Sequence, residues 1–562
     1  MLNRGNRLSA STLLDAAVLD PMAGEQDAII YVETGRPSLH VSRSDFLQAV
    51  RAHSDQLRRL GIGPGDLVVI AHTQNLASIF SFWGAMVAGA IPSMFPTLTE
   101  KLDPEIYMSS MAELVRLSDV KAILTTDEFA PVLAQAVLCD VFGSGELQNR
   151  NIDEADAAIR ANPHPDDIAF LQHSSGTTGL QKGVALSHQA VLNQLASYGE
   201  AIGLNESDVI VSWLPLYHDM GLIAGFILPL FQGVPLVLMS PFDWVQHPAL
   251  LFRAIDEHHG TLCWLPNFAY NHCARRIRRR DTDGLSVSSM RMFINCSEPV
   301  YHDSHTVFLE RFRDQGLKES MLAVSYAMAE NTFGVTQTFL GQIPRLDIIN
   351  HNILEQSQLA RPEMPEHPEA EIRVSCGPPI AGTGIKVIGK NGEALSERRV
   401  GELAIRSNCM LSGYHQRPDL EPFKDGWYMT GDIGYMVGGE VFIVGRSKDM
   451  IINAGKNLYP QDIEVIVNKV SGIRAGRVVV FGVPDEREGT ELVAVIAEVS
   501  TEDEKEKKEI ATAIRQSIVS QSMVTASFVK LVGPKWLIKT SSGKMARSAN
   551  REKWLRETAE DN

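Results

Sequence analysis

Asp66–Ala90 reads DLVVIAHTQNLASIFSFWGAMVAGA, and this stretch indicates the fold class. Its first seven residues, Asp66–His72, indicate a strand with a continuous apolar run at Leu67–Ala71, and the run from Leu76 to Ala90 is long enough for a buried helix. KAILTTD at Lys121–Asp127 has the composition of another strand, and VIVSWLP and PLVLMS continue the pattern further along the chain. Strands that alternate with helices predict an α/β fold with layered, largely parallel sheets.

Length and charge limit the class of protein. The 562 residues are 44% hydrophobic and 21% charged, an ordinary globular composition, and the length predicts several domains or one large domain with a satellite. The formal net charge of −16 argues against a nucleic-acid-binding protein. We therefore expect no nucleic-acid partner.

Compartment and membrane association are judged from cysteines and apolar runs. The six cysteines are scattered and lack zinc-ligand spacing, so we expect reduced thiols and a cytoplasmic protein. Asp15 and Asp20 interrupt the apolar N-terminal residues, which argues against a signal peptide. Gly221–Ser240 carries no charge, but Pro229, Gly233 and Pro235 break it, so we predict a buried helix, a turn and a strand rather than a membrane span.

Two segments stand apart from the alternating pattern. Residues 341–372 contain RPEMPEHPEAEI, which is rich in Pro and Glu with little periodicity, and we predict an exposed insertion there. After VFIVGRSKDMIINAGKN the chain begins again with DIEVIVNKV, GRVVVFGVP and ELVAVIAEV, a compact α+β pattern. We place a domain boundary near Lys448, with one domain over residues 1–447 and a second over residues 448–562.

The segment HSSGTTGLQKGV at His173–Val184 has the composition of an anion-binding loop. Glycine frees the backbone, while hydroxyl groups and consecutive N–H groups suit a phosphate. The loop is not a Walker P-loop, because Gln181 precedes Lys182 and Gly183 follows it. A flexible Ser/Thr/Gly linker is the alternative interpretation.

Further segments place polar residues in apolar surroundings, and their order is informative. They are SWLPLYHDMGL, NCSEPV, SYAMAENTFG, YMTGDIGYM, GRSKDMIINAGKNLYPQDIE and KTSSGKMARSANREKW. Together with the glycine loop, this ordered set resembles the adenylate-forming superfamily of acyl-CoA synthetases, luciferases and peptide-synthetase adenylation domains. The resemblance extends from about Asp166 to Trp554, and weakly before it.

Within the superfamily, the chain is most similar to fatty-acyl-AMP ligases. WLPLYHDMGLI, SEPV, KNLYPQDIE and the insertion closed by VSCGPP carry this likeness. The sequence departs from the branch at Ala327, where Gly is usual, at Gln181, where Pro is usual, and in NCSEPV. The resemblance implies a large domain of layered αβ sheets with a β-barrel-like subdomain, followed by a small mobile α+β domain.

The implied reaction joins a carboxylic acid to ATP. A fatty or related acid attacks the α-phosphorus with Mg²⁺ present, pyrophosphate leaves, and the acyl-AMP then passes its acyl group to the phosphopantetheine thiol of a separate holo acyl carrier protein. The insertion is thought to hinder the domain movement that CoA requires in related enzymes. Because two anions must react, catalysis would depend on positioning and charge neutralisation.

The resemblance also assigns nucleotide-binding positions. Asp432 would accept hydrogen bonds from the ribose hydroxyls with help from Arg446, and Glu330 would bind Mg²⁺. Tyr326 would stack on adenine. The remaining nucleotide positions are Ser174, Ser175, Gly176, Thr177, Thr178, Gly179 and Lys182 around the phosphates, and Ser297, Glu298, Pro299, Ala327 and Met328 around the base.

Catalysis is expected from the C-terminal lobe. Lys544 would bridge the carboxylate and the α-phosphate, and Lys448 matches the hinge about which that lobe turns. His218 would line the junction of the acyl tunnel and the nucleotide. Each of these residues has a plainer structural interpretation, as a core histidine or as one lysine of a basic tail.

Three other functions remain open on the sequence. They are an acyl-CoA synthetase that uses CoA, a non-catalytic nucleotide-binding scaffold and, with less support, an amino-acid adenylation domain. CARRIRRRD at Cys273–Asp281 suits either an acidic carrier protein or a solvated helix face.

Overall fold

The computed structural model describes residues 10–17, 24–73, 75–98, 104–148, 162–173, 182–453, 456–485, 490–522, 524–540 and 543–560. In this part of the chain the architecture is mixed α/β, as predicted. Two large sheets and a third, antiparallel sheet precede a smaller α+β unit.

The first sheet contains the apolar runs around Asp66–Ala90. Its seven strands are ordered β19-β8-β7-β4-β3-β5-β6, with parallel pairing from β7 to β6. The strands are β3 (Leu67–Ala71), β4 (Ile91–Phe95), β5 (Val120–Thr125), β6 (Asp140–Gly143), β7 (Ile168–His173), β8 (Gly183–Ser187) and β19 (Gly413–Tyr414). All five residues of β3 are buried, which is why the run is continuous rather than alternating.

The second sheet is larger and has the same character. Its eight strands are ordered β14-β13-β12-β11-β9-β10-β1-β2, parallel from β13 to β1 with an antiparallel strand at each edge. They are β1 (Asp27–Val32), β2 (Leu39–Ser42), β9 (Ile210–Ser212), β10 (Leu236–Met239), β11 (Leu262–Leu265), β12 (Met292–Asn295), β13 (Leu322–Ala327) and β14 (Gly334–Gln337).

Helices cover these two sheets. They are α1 (Leu13–Ala17), α2 (Arg43–Arg59), α3 (Leu76–Ala88), α4 (Pro104–Ser118), α5 (Ala130–Leu133), α6 (Ser144–Gln148), α7 (His188–Ala201), α8 (Leu228–Gln232), α9 (Pro241–Gln246), α10 (Ala249–His258), α11 (Asn267–Arg276) and α12 (His302–Phe312). The start of α3 follows from its sequence, because the Asn75 side chain accepts from the Ser78 N–H and the Ser78 hydroxyl caps in return.

The predicted barrel-like part is an antiparallel sheet. Its strands are β17 (Thr383–Ile388), β18 (Gly401–Ser407), β20 (Phe423–Lys424), β21 (Trp427–Val437) and β22 (Glu440–Arg446). β21 pairs with β18, β20 and β22, so it is central. This register sets Asp432 directly opposite Arg446 on neighbouring strands.

The C-terminal unit is α+β, as its sequence predicts. It contains β23 (Ile451–Asn453), β24 (Lys456–Leu458), α14 (Pro460–Asn468), β25 (Ile473–Asp485), β26 (Thr490–Val499), α15 (Glu504–Ser522), β27 (Ala526–Val532) and α16 (Arg547–Glu560). A core of its own includes Ile463, Val480, Val495 and Ile514, all buried. Tyr459, also buried, packs instead with Tyr435 and Phe442 of the antiparallel sheet.

The insertion at residues 341–372 is more ordered than we expected. It contains β15 (Leu346–Asn350), α13 (His351–Ser357) and the start of β16 (Ala370–Val374), which pairs antiparallel with β15. Ile349 and Leu354 are fully buried beside Tyr459, whereas the Pro- and Glu-rich part is largely exposed. The apolar residues that anchor this segment are too few to produce a periodic pattern in the sequence.

The uncharged Gly221–Ser240 stretch behaves as predicted. It forms a π-helix at Met220–Ile227, α8 and then β10, all buried within the second sheet's layer. Across the described ranges, no helix combines the length and apolarity needed to cross a bilayer. All six cysteines are free thiols.

Candidate active site

The carboxyl ends of the parallel strands bring the predicted residues to one side of the molecule. β9 ends shortly before His218, β12 ends just before Ser297, and β13 ends just beyond Tyr326. Ligands of open α/β sheets bind at this edge, because the loops that follow each strand meet there. Strand direction alone therefore assembles three segments that are far apart in sequence.

His218 is held by its neighbour Asp219. The imidazole Nδ1 lies 2.7 Å from Asp219 Oδ1, and the same oxygen accepts from the Met220 N–H at 2.8 Å. A carboxylate only accepts, so Nδ1 carries the proton and Nε2 remains available to a ligand. Burial raises the pKa of Asp219, but the His218 hydrogen bond and the charges of His218 and Lys544 bring it below its ordinary value.

Close packing fixes the position of this pair. A Cβ at Gly221 would overlap the Pro215 carbonyl oxygen, so only glycine fits this position near the start of the π-helix that follows Asp219. The π-helix that starts at Met220 is buried over its whole length. Short π-helices are frequent at functional sites.

The NCSEP segment has strained backbone at Ser297. This residue has φ of 70°, in the left-handed region that residues other than glycine seldom adopt. Glu298 accepts a hydrogen bond from the Phe268 N–H at 2.9 Å, at the start of α11. Pro299 is exposed. The hydrogen bond holds this segment over the end of β12, and the surrounding structure keeps Ser297 in its strained conformation.

Tyr326, Asp432 and Arg446 form one hydrogen-bonded cluster. Tyr326 OH donates to Asp432 Oδ2 at 2.6 Å, and Arg446 Nε donates to Asp432 Oδ1 at 2.9 Å. Asp432 is 5% exposed, and Gly431, the residue before it on β21, has φ of 72°. Each carboxylate oxygen keeps one lone pair for a further donor. Ala327 and Met328 continue from Tyr326, with the Met328 N–H bonded to the Phe333 carbonyl.

Glu330 lies at the end of a hydroxyl chain. Its Oε1 accepts from Tyr414 OH at 3.1 Å, and Tyr414 OH is 3.1 Å from Tyr428 OH. Burial raises the pKa of Glu330, while the Tyr414 hydrogen bond and the Arg446 charge partly offset that rise. The Lys182 ammonium lies 4.9 Å from the centroid of the Tyr414 ring, so it is close to the same cluster.

The glycine loop itself falls largely outside the described residues. Ser174, Ser175, Gly176, Thr177, Thr178, Gly179 and Gln181 belong to that part. Its two ends are described: His173 and Gly183 face each other in the antiparallel pairing of β7 and β8. Lys182, at the end of the loop, is half-buried.

Lys544 comes to the site from the C-terminal unit. Burial lowers the pKa of its ammonium, and the charges of Glu298 and Asp219 oppose that shift. Cys296 and Arg446 also act on it electrostatically, so the ammonium faces groups from several different elements. A half-buried ammonium group in this environment suits the neutralisation of a bound anion.

Arg547 fastens the Lys544 segment to the segment after Arg446. Its guanidinium donates to Asp449 Oδ2 at 2.7 Å, to Glu464 Oε1 at 2.7 Å and to the Val480 carbonyl at 2.8 Å. Asp449 follows Lys448 in a short 3₁₀ turn at Ser447–Asp449. Burial and the charge of Arg446 lower the pKa of Lys448. Arg547 follows Lys544 by three residues and bonds to Asp449, the residue after Lys448, so it links the segment of the predicted catalytic lysine to the predicted hinge.

A second buried cluster joins the insertion to the C-terminal unit. Arg373 Nη2 on β16 lies 2.7 Å from Glu371 and 2.9 Å from Asp462 on α14. His351 Nδ1 lies 2.9 Å from Glu371, and Nε2 lies 3.2 Å from Glu355. Burial alone lowers the pKa of His351, but hydrogen bonds to Glu355 and Glu371 raise it to about 10.

Sequence reasoning missed Asp219, Tyr414, Arg373 and Arg547. Asp219 stands beside His218 in LYHDMG and could have been chosen by adjacency alone. Nothing in the local pattern marks the other three, because their partners are far along the chain.

Comparisons with known proteins show the family of this chain. A model of the family described as AMP-binding enzyme matches residues 21–415. A Caulobacter vibrioides protein that carries the name acyl-CoA synthetase is 31% identical over 518 residues, covering 90% of this chain and 89% of its own. The medium-chain-fatty-acid–[acyl-carrier-protein] ligase JamA of Moorena producens is 33% identical and covers 70% of this chain and 69% of its own.

Solved structures show the same fold. A structure from work on fatty acyl-adenylate ligases of E. coli and L. pneumophila superposes with a TM-score of 0.88 at 26% identity, covering 99% of both chains. The fold and site define an adenylate-forming ligase, an enzyme that activates a carboxylic acid through an acyl-AMP with ATP as the nucleotide. The chain belongs to the AMP-binding enzyme family.

Proposed function

We propose that this adenylate-forming ligase is a fatty-acyl-AMP ligase. It joins a fatty or related carboxylic acid to ATP, releases pyrophosphate and transfers the acyl group to the phosphopantetheine thiol of a holo acyl carrier protein. The observation that carries the first step is the electrostatic interaction of Lys544 with Asp219 and Glu298, whose charges oppose the lowering of its pKa by burial.

The reaction needs a cation between two anions. The acid's carboxylate attacks the α-phosphorus, and negative charge grows on the phosphate oxygens as the bond to pyrophosphate breaks. Lys544 would contact both groups and stabilise that charge in a site that excludes water. His218, whose Nδ1–H is donated to Asp219, would orient the substrate carboxylate through an Nε2–H hydrogen bond, which requires both ring nitrogens to carry a proton.

Nucleotide binding follows from the Asp432 cluster. The two free lone pairs of this carboxylate suit the ribose diol, and Arg446 and Tyr326 hold it in place. In this proposal Ser297, Glu298 and Pro299 face the base from the other side. The loop from Ser174 to Gly179, with Lys182, would hold the phosphates.

Magnesium fits the residues around Glu330. A half-buried carboxylate with a raised pKa gains from a neighbouring cation, and Mg²⁺ is usually held by few carboxylates together with phosphates. Glu330 would hold the ion, which neutralises phosphate charge when bound. Tyr414 orients the carboxylate through its hydroxyl.

The acceptor is proposed from the insertion. The ion pair between Arg373 and Asp462 ties β16 to α14, and both side chains are about 90% buried. Breaking a buried ion pair costs about 3–5 kcal/mol, so this contact disfavours large rotations of the C-terminal unit. Such restraint favours a carrier protein over free CoA. Lys448 is the proposed pivot for the smaller movement that remains.

The first prediction tests Lys544. Lys544→Ala should lower pyrophosphate release about 10²–10³-fold, because a donor to the developing charge is lost, while ATP binding changes little. The assay is pyrophosphate release with a fatty acid, together with nucleotide binding by calorimetry. Lys553→Ala is the matched control, since this lysine of the same unit bonds to the Trp536 carbonyl. Adenylation at the native rate by Lys544→Ala would refute the proposed mechanism.

The second prediction tests the acceptor. Acyl transfer should reach a holo carrier protein readily and free CoA slowly, measured by mass spectrometry of both thioesters in one mixture. The alternative is an acyl-CoA synthetase, which the name of the Caulobacter relative favours. Turnover with CoA as fast as with the carrier would establish that alternative.

A further inference from the structure

Helices α9 and α11 together expose three large apolar side chains. Phe242 and Val245 on α9 are 43% and 38% exposed, and Phe268 on α11 is 39% exposed. Single exposed apolar residues are common, but neighbouring ones form a patch of the kind that marks interaction sites. We call this region, with the arginines described below, the α9–α11 surface.

The patch rests on a rigid base. Trp213 and Trp244 stack beneath it with ring centroids 3.6 Å apart, and Phe268 meets both rings edge-on at 6.1 and 6.3 Å. His272 Nε2 lies 3.1 Å from the Val245 carbonyl and so joins the two helices. The exposed rings are therefore held by packing, which reduces the entropy that binding would cost.

Arginines extend the patch along α11. Phe268, His272, Arg275 and Arg276 follow one another at helical spacing, so they share one face of the helix. Arg278, Arg279 and Arg280 come directly after it, and all five arginines are exposed. Among the described residues Arg275 and Arg276 form no ion pair, whereas Arg279 and Arg280 have only long pairs of 3.8 Å. This basic region belongs to a chain of net charge −16.

The surface reaches the rim of the proposed active site. The N–H of Phe268 donates to Glu298, whose charge acts on Lys544. Arg276 comes eight residues after Phe268 on α11, so it lies about 12 Å further along the helix axis at 1.5 Å per residue. A partner seated on the arginines would have its near side close to the acyl-AMP.

We propose that the α9–α11 surface docks the protein that receives the acyl group, an acidic helical carrier with a flexible thiol arm. The proposal rests on the proposed function. Its acidic side chains pair with the arginines, its apolar contact covers Phe242 and Val245, and the arm extends past Phe268 to the acyl carbonyl. Aromatic residues and arginine are the residues enriched at protein interfaces.

The test separates docking from adenylation. Phe242→Ala/Arg275→Gln/Arg276→Gln should release pyrophosphate at the native rate but raise the KM for holo carrier protein about tenfold, because steering and contact are both lost. The native KM should rise with salt, and the variant's dependence on salt should be flatter. Arg116→Gln/Arg556→Gln is the matched control, since both are exposed arginines at 67% and 77% on other faces.

Each outcome has a distinct meaning. If the native enzyme makes acyl-AMP but transfers it to none of a panel of holo carriers, the proposed function fails. If the native enzyme and the triple variant show the same carrier KM and salt dependence, the docking surface alone is wrong. Loss of binding to phosphatidylglycerol vesicles in a variant with unchanged transfer would overturn the carrier proposal and assign the surface to anionic lipid.

Discussion

Within the described residues, the carboxylate of Glu330 accepts a side-chain hydrogen bond from Tyr414. Tyr414 OH donates to it at 3.1 Å, and Tyr428 OH extends the chain. Burial raises the pKa of Glu330 and this hydrogen bond lowers it. The Tyr414 hydroxyl therefore keeps the acid ionised down to a lower pH. A protonated carboxyl cannot hold a divalent cation, so one hydroxyl controls the pH range of the proposed site.

The third prediction follows at this scale. Tyr414→Phe should raise the pKa of Glu330, so pyrophosphate release should begin to fall at a higher pH as the solution is acidified. The concentration of Mg²⁺ that gives half the maximal rate should also rise, most at low pH. Both are read from rate profiles at several Mg²⁺ concentrations. Tyr107→Phe, which loses a hydroxyl bonded to the Pro96 carbonyl, is the control. An unchanged acidic limb in Tyr414→Phe would separate Tyr414 from metal binding.

Asp219 shows how a residue's meaning depends on its surroundings. It is 7% exposed and ionised by virtue of two hydrogen bonds and a nearby lysine. Its role in the proposed mechanism is to position His218 through Nδ1, without touching the substrate itself. The sequence places Asp219 beside His218, but only its burial in the structure indicates that its negative charge needs a partner.

At the scale of elements, β16 and α14 are joined by a buried charge cluster. Arg373 contacts Glu371 on its own strand and Asp462 on the helix, while His351 on α13 contacts Glu371. The segment predicted to be an exposed insertion therefore contains one half of a contact with the C-terminal unit. Burial of charged groups is tolerated here because each has a partner of opposite sign.

The fourth prediction tests that contact. Arg373→Met should loosen the C-terminal unit and raise acyl transfer to CoA relative to transfer to a holo carrier, measured in a competition assay. Arg398→Met is the matched control, because Arg398 pairs with Asp347 at 3.1 Å within the large domain. Both variants should be less stable, but only the first should change the acceptor ratio. A ratio that moves equally in both would mean that general destabilisation, not the interdomain pair, is responsible.

At the scale of the whole molecule, the C-terminal unit has a hydrophobic core separate from the core of the rest of the chain. Ile514 on α15 is fully buried with Ile463, Val480 and Val495, all within the C-terminal unit. Lys544 acts from this unit on a site built by the large domain, so its placement depends on the unit remaining folded and docked. The boundary near Lys448 stays a proposal that these cores support.

The fifth prediction measures the independence of the C-terminal unit. Ile514→Ala should lower its free energy of unfolding by about 2–5 kcal/mol through lost burial and a cavity. Native-state hydrogen exchange should show faster exchange in β26, with β11 unchanged. Leu265→Ala, at a fully buried position in β11, should speed exchange in β11 and leave β26 unchanged. Equal acceleration in both strands would mean that the chain unfolds as one unit.

Much of the architecture could be predicted because it depends on local pattern. The buried run of β3 and the helix after it appear at their predicted positions, and the same holds for the strands GRVVVFGVP and ELVAVIAEV. The insertion was predicted less well. Its buried anchors, Ile349 and Leu354, are too few to show a period, and their partners lie about a hundred residues away.

By itself, the sequence determined the α/β class and the order of the polar segments, which depend on residue type and on short spacings that a sequence displays directly. Its resemblance to adenylate-forming enzymes led to the proposal of Lys544, His218, Asp432 and Glu330 as site residues. Tertiary structure alone decided that Asp219 holds His218, that Tyr414 supports Glu330 and that Arg373 meets Asp462. Those contacts depend on strand order and on the docking of the C-terminal unit, and the physical forces that create them act through space rather than along the chain.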